Sequence, residues 1–159
     1  MRRGYALSHD AAVTLLETAD IGGTNAATGW VSMKEFDQVF AYVEIGTWDA
    51  GDDLDECRLE QATDASGTGA KDLTTDAAGG NYDTDNPVDA DGNFVILEAA
   101  AEDLDVANGF THVRLYVAEG GNTGVDNVTG FLIRYGSQIK QAQKNGAAVT
   151  GEKVYVRPS

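Results

Sequence analysis

The sequence predicts a mainly β protein, an antiparallel β-sandwich of jelly-roll or immunoglobulin-like type. Three observations lead there. Apolar side chains alternate with a two-residue period in several short stretches, the pattern of a strand with one buried face. Nineteen glycines against two prolines gather between those stretches, in clusters with Asn and Asp that make turns. The candidate strands number about eight, which suits a sandwich better than a single small sheet.

Taken in order, the candidates are Ala12–Leu16, Gly29–Met33, Asp37–Gly46, Leu54–Ala62, Phe94–Leu97, Phe110–Glu119, Asn127–Gly136 and Val154–Val156. The clearest is Asp37–Gly46, where Val39, Ala41, Val43 and Ile45 alternate with Gln38, Phe40, Tyr42 and Glu44. In Phe110–Glu119, Val113, Leu115 and Val117 share one face and His112, Arg114 and Tyr116 the other. Asn127–Gly136 sets Phe131, Ile133 and Tyr135 against Leu132 and Arg134. The connections Ile21–Gly29, Asp64–Gly69 (DASGTG), Ala77–Gly92 and Gly120–Gly124 (GGNTG) are turns, because Gly and Asn accept positive φ and Asp bonds the backbone locally. Glu98–Ala107 is Ala-rich and acidic and ends at Asn108-Gly109, so one short helical turn is expected there. This divides the chain into an N-terminal arm (residues 1–10), a sandwich domain (11–136) and a C-terminal segment (137–159) with a final short strand. The ends are expected to extend as arms.

With 159 residues the chain can bury roughly two-thirds of its unfolded surface and needs no covalent staples. The lone Cys57 excludes an internal disulfide framework and a cysteine-built zinc site, and its alternation with Leu59 marks a small buried residue. Arg2 and Arg3 precede an apolar stretch that Glu17 and Asp20 soon interrupt, so no targeting signal is read, and no window reaches the ~18 apolar residues of a membrane span.

The net charge is −15, unevenly placed: −2 over residues 1–43 (3 basic, 5 acidic), −16 over 44–105 (2 and 18) and +3 over 106–159 (6 and 3). An acidic middle of that size repels phosphate, which makes nucleic acid and anionic membrane poor partners.

The acidic loop Asn81–Asn93, NYDTDNPVDADGN, is the sharpest local pattern. Placing Gly92 at the glycine of an EF-hand loop puts Pro87, which has no side-chain oxygen, at the first ligand position, and that motif fails. A different calcium loop would use Asp83, Asp85, Asp89 and Asp91; a solvated acidic turn is the reading preferred. No other cofactor is indicated. Asp52, Asp53, Asp55 and Glu56 are too dense a run to single out an acid–base pair. His9 and His112 have no identifiable third partner for a triad, and neither a G-x-S-x-G elbow nor a Walker loop occurs. The sequence does not read as an enzyme. Trp30, Trp48, Tyr42, Tyr82 and Tyr116 would stack on sugar rings if they shared an exposed face; a core role for Trp30 and Trp48 is preferred.

Two stretches carry a family resemblance. Leu54–Thr75, LDECRLEQATDASGTGAKDLTT, is similar to a pattern of small tailed-phage structural proteins: a strand ending Gln-Ala, an acidic Gly-rich turn, then a Lys-x-Leu-Thr strand. Phe94–Val117 resembles their strand, Glu-x-Leu-Asp turn and Gly-Phe-x-x-Val-Arg strand, here Glu102–Asp105 and Gly109–Arg114, and FDQVFAYVEIGTW fits the same layout. The similar regions cover about residues 36–135. The resemblance implies a virion component of the head decoration or cement type, made in the host cytoplasm and carried on the capsid exterior. Its implied partners are the major capsid protein and, from the three-fold axes of shells, two further copies in a homotrimer. Arg2, Arg3, Tyr5, Lys140, Lys144 and Arg157, in the mildly basic ends, are then the capsid-contact candidates. The alternatives are a tail or head–tail connector protein, and a calcium- or carbohydrate-binding β module acting as an adhesin.

Overall fold

Alternation of the kind seen in Asp37–Gly46 is satisfied when the apolar side of a sheet is covered, and in this chain two sheets cover each other. The computed structural model describes residues 11–49, 54–74, 91–119 and 124–137. Among these residues the strands are β1 (Ala12–Asp20), β2 (Asn25–Ala27), β3 (Val31–Ser32), β4 (Phe36–Ile45), β5 (Glu56–Ala62), β6 (Lys71–Asp72), β7 (Phe94–Ala100), β8 (His112–Ala118) and β9 (Asn127–Ser137). The first sheet runs β1-β9-β4-β7; the second runs β2-β8-β5-β6, with β3 also on β8. All the strand pairs are antiparallel. With β2 and β3 counted as one interrupted strand, this is the strand order of a jelly roll, which decides between the two sandwich types expected.

The core lies between the sheets. Leu16, Val39, Ala41, Val43, Ile45, Val95, Ala99, Val128 and Leu132 come from the first sheet, and Cys57, Leu59, Val113, Leu115 and Val117 from the second. Ile21, Met33, Phe36, Trp48, Leu54 and Leu104 close the ends. Arg134 is on the core-facing side of β9 but near its end, where its Nη1 donates to the Ser32 carbonyl at 2.6 Å and its guanidinium lies 4.6 Å above the Phe36 ring. Burial pushes its pKa below the ordinary guanidinium value, with Glu35 opposing.

Most expected strands appear close to their expected bounds. Three readings need correction. Ile21–Gly29 is not turn throughout: Asn25–Ala27 pairs with Tyr116–Ala118 through its backbone, although only Ala26 of its three side chains is half-buried. The expected helical turn begins later, because Gln38–Phe40 of β4 hold Glu98–Ala100 as strand; two 3₁₀ turns follow, Ala101–Asp103 and Val106–Asn108. Gly109 ends the second with φ +83, a left-handed conformation that favours glycine. Trp30 is not in the core, as shown below. The final strand at Val154–Val156 and both arms lie outside the described residues.

Candidate interaction surface

The outer face of the first sheet is built from the residues that alternate with the core. Register places Leu15, Phe131, Tyr42 and Ile96 in one row across all four strands, and Val13, Ile133, Phe40 and Glu98 in the next. Phe94 adjoins them opposite Glu44. Leu15 is 66% exposed, Phe94 56%, Ile96 50% and Val13 46%, so strongly apolar side chains stand in water on a sheet face. The ionisable carboxylates here, Glu44, Glu98 and Glu17 at the β1 bulge, lie at the border. Among the described residues, no Lys or Arg occupies an outward position on these four strands.

The aromatic rings on this face stand up from the sheet and stack on each other. Tyr42 lies between Phe94 and Phe131, with ring centroids 5.6 and 5.4 Å away and interplanar angles of 25° and 21°. Phe40 meets Phe131 at 6.3 Å. Both faces of the Tyr42 ring are therefore occupied by protein. A sugar-stacking platform needs free ring faces, which Tyr42 does not offer. The Tyr42 hydroxyl donates to Glu44 Oε2 at 3.3 Å, and partial desolvation, with the Glu44 charge beside it, raises the phenol pKa.

The outer face of the second sheet has a different chemistry. Glu56, Arg58 and Glu60 alternate outward along β5, beside Tyr116 and Arg114 of β8. Glu60 sits between both arginines, 3.0 Å from Arg58 and 2.6 Å from Arg114, and Arg58 also pairs with Glu56 and with Asp72 at 2.9 Å. Desolvation pulls the Arg58 pKa down, but hydrogen bonds and charge from Glu56, Asp72 and Glu60 overcome it and leave the group above its ordinary value. Arg58 lies 4.5 Å over the Tyr116 ring, and Arg114 lies 4.6 Å over Trp30. Trp30 is half-buried here, under Arg114 and against Gly67, where a Cβ would meet its Nε1 at 2.5 Å. These charges are consumed by one another and by aromatic rings, which makes the face self-satisfied.

The DASGTG turn joins β5 to β6. Asp64 Oδ1 accepts from the Ser66 and Thr68 backbone amides at 2.8 and 3.1 Å, and Gly67, at φ +82, makes the reversal. Hydrogen bonding from the Thr68 side chain, then from the Thr68 and Ser66 amides, holds the Asp64 carboxyl below the ordinary carboxylate range. A folded pKa below the unfolded one contributes stability that is present above the unfolded value and is lost as pH falls through the folded one. A carbon-13 NMR titration is expected to show Asp64 still ionised where an ordinary Asp is half protonated, near pH ~3.9. A midpoint at or above that value would remove the turn's carboxylate from any role in acid stability.

One end of the sandwich gathers carboxylates, and the bonds described there go to backbone amides. Asp20 Oδ1 accepts from Gly22 and Asp126, Asp126 Oδ1 from Asp49, Glu119 Oε2 from Gly23 at 2.6 Å, and Asp91 Oδ1 from Trp48 at 2.9 Å. They tie loops together. Among the described residues, no group of three or more His, Cys, Asp or Glu side chains is placed to hold a metal ion. Of the calcium candidates, Asp91 accepts from the Trp48 amide, while Asp83, Asp85 and Asp89 lie outside the described residues, as do Arg2, Arg3, Tyr5, Lys140, Lys144 and Arg157. His112 lies on the outer face of β8, its Nδ1 3.0 Å from Thr111 Oγ1, and burial followed by the Lys34 charge lowers its pKa. Cys57 is buried in the core as expected. No helix of the described residues is long and apolar enough to cross a membrane.

Compared with family models, with curated proteins and with solved structures, the chain gives no match.

Proposed function

We propose that the chain is a structural protein of a tailed-phage virion, a head decoration (cement) protein that binds the outside of the assembled shell and bridges neighbouring major capsid subunits. The observation that carries this reading is the apolar outer face of the first sheet. A contiguous patch spanning four strands marks a surface that is covered in the working state of a protein. A rigid jelly roll with one apolar face and one self-satisfied charged face suits a part whose work is to be held in an assembly. The resemblance of Leu54–Thr75 and Phe94–Val117 to phage structural proteins supplies the identity of that assembly. Binding only the assembled shell would stabilise it by linkage, with catalysis playing no part. Closed oligomers of the chain would sit on the shell's symmetry axes. Of the adhesin alternative, sugar stacking on Tyr42 loses support, because both faces of that ring are occupied.

The test uses heads of the encoding phage assembled without this gene product. Purified protein is expected to co-sediment with them to saturation and to raise the temperature at which they rupture. Heads that neither retain the protein nor gain heat resistance would end the cement reading.

A further inference from the structure

We infer that the outer face of the first sheet, centred on Leu15, Phe131, Tyr42 and Ile96, is the surface through which the chain binds a second copy of itself. The inference rests on the assembly reading above and names which chain covers the face. Size is the first argument. Four strands at ~4.8 Å spacing make the face about 20 Å wide, and two to three outward residues per strand make it nearly as long, a projected area on the order of 300–400 Å². That is already the size of the largest patches monomers leave exposed. A stable interface buries ~800 Å² per partner, so the pairing also draws in the border residues around the face.

Shape is the second argument. The face is an uninterrupted four-stranded sheet, and such a surface packs best on another sheet at ~10 Å separation, as the two sheets of this fold already do. A second copy offers an identical sheet face.

Charge placement is the third. A chain of net −15 repels its own copies most where carboxylates are dense. Here the centre carries none, and Glu17, Glu44 and Glu98 stand at the border, where they stay in water as a rim. A basic partner would find no central charge to read. Self-association through this face therefore has an unusual signature. It strengthens with salt, because screening removes like-charge repulsion while apolar burial remains.

The experiment is light scattering on the full chain, from 5 to about 200 µM, in 0.15 M and 1 M NaCl. The face variant Leu15→Lys/Ile96→Lys is compared with Val106→Lys/Val125→Lys, which makes the same charge change at exposed apolar residues elsewhere. All four positions are well exposed, so the fold is expected to survive, checked by circular dichroism; Leu15→Asn/Ile96→Asn replaces the face variant should it not. Wild type and control are expected to form a dimer, tighter at 1 M NaCl, with the face variant self-associating at least ~50-fold more weakly. A wild type that stays monomeric at about 200 µM in 1 M NaCl, or a face variant that matches it, overturns the inference. Head binding on the same samples separates the two proposals. An oligomer that ignores heads sinks the cement reading alone. A monomer whose head binding vanishes in the face variant overturns self-association and assigns the face to the shell.

Discussion

Gly130→Val is expected to abolish the folded state at 37 °C, and Gly130→Ala to cost about 2–3 kcal/mol. Gly130 lies in β9 between β1 and β4, opposite Leu16 and Val43. A Cβ there would run into the Tyr42 carbonyl oxygen, and would lie 3.2 Å from Val43 Cα and 3.3 Å from the Tyr42 carbonyl carbon. These are backbone atoms of the neighbouring strand, and they cannot swing aside as the tip of a side chain does. Relief requires β9 to move away from β4, which stretches the ladder that holds the sheet together. Valine's two further methyl groups make the displacement larger. Gly29 supplies the control, because a Cβ there meets nothing within 4 Å. Gly29→Ala is expected to stay within about 0.5 kcal/mol of wild type. Urea unfolding of the three variants decides the matter, and a Gly130→Ala midpoint equal to that of Gly29→Ala would show that the close approach is not what fixes glycine at this position.

The same strand shows why much of the fold was legible and the candidate surface was not. A two-residue period states that one side of β4, β8 and β9 is buried, and it does so locally, so those strands were evident within one or two residues. β1 and β7 were under-read at their far ends: Glu17–Asp20 includes a bulge, and Glu98–Ala100 looks helical by propensity until its pairing with β4 is known. β2 escaped because three residues of Asn and Ala carry almost no burial signal; their position is set by the partner strand. The outer face is a harder case. Phe40 and Tyr42 stood on the non-core side of the alternation in plain view. Nothing local joins them to Leu15, Ile96 and Phe131, which become neighbours only through the order β1-β9-β4-β7, and that order is made of long-range pairings. Trp30 was misplaced for a related reason: its cover is Arg114, distant in sequence. The one missed feature with a local signal is the charge ladder of β5, since Glu56-x-Arg58-x-Glu60 spells alternating signs on one side of a strand.

That ladder sets the second large effect. Glu60→Ala is expected to cost about 2–3 kcal/mol, somewhat less than the 3–5 kcal/mol for breaking a fully buried pair, because Arg114 can turn partly toward water. For a protein of this length the change lowers Tm by about 5–10 °C. The Glu60 side chain is 8% exposed and neutralises two guanidinium groups at once. Without it Arg58 keeps Glu56 and Asp72, but Arg114 loses the only carboxylate paired with it among the described residues. The two cations, which both lean on the Tyr116 ring, then repel one another across a surface their aromatic cover keeps partly dry. The arrangement predicts non-additivity. Removing Arg114 as well, in Glu60→Leu/Arg114→Leu, takes away the stranded charge and is expected to recover at least about 1 kcal/mol relative to Glu60→Leu alone. Salt separates this network from ordinary surface pairs: raising NaCl to 1 M should leave most of the Glu60→Ala penalty in place, because the groups are partly withdrawn from solvent. A Glu60→Ala protein within 0.5 kcal/mol of wild type would mean that cation–π contacts with Trp30 and Tyr116 suffice to hold both arginines, and that the carboxylate adds geometry without stability.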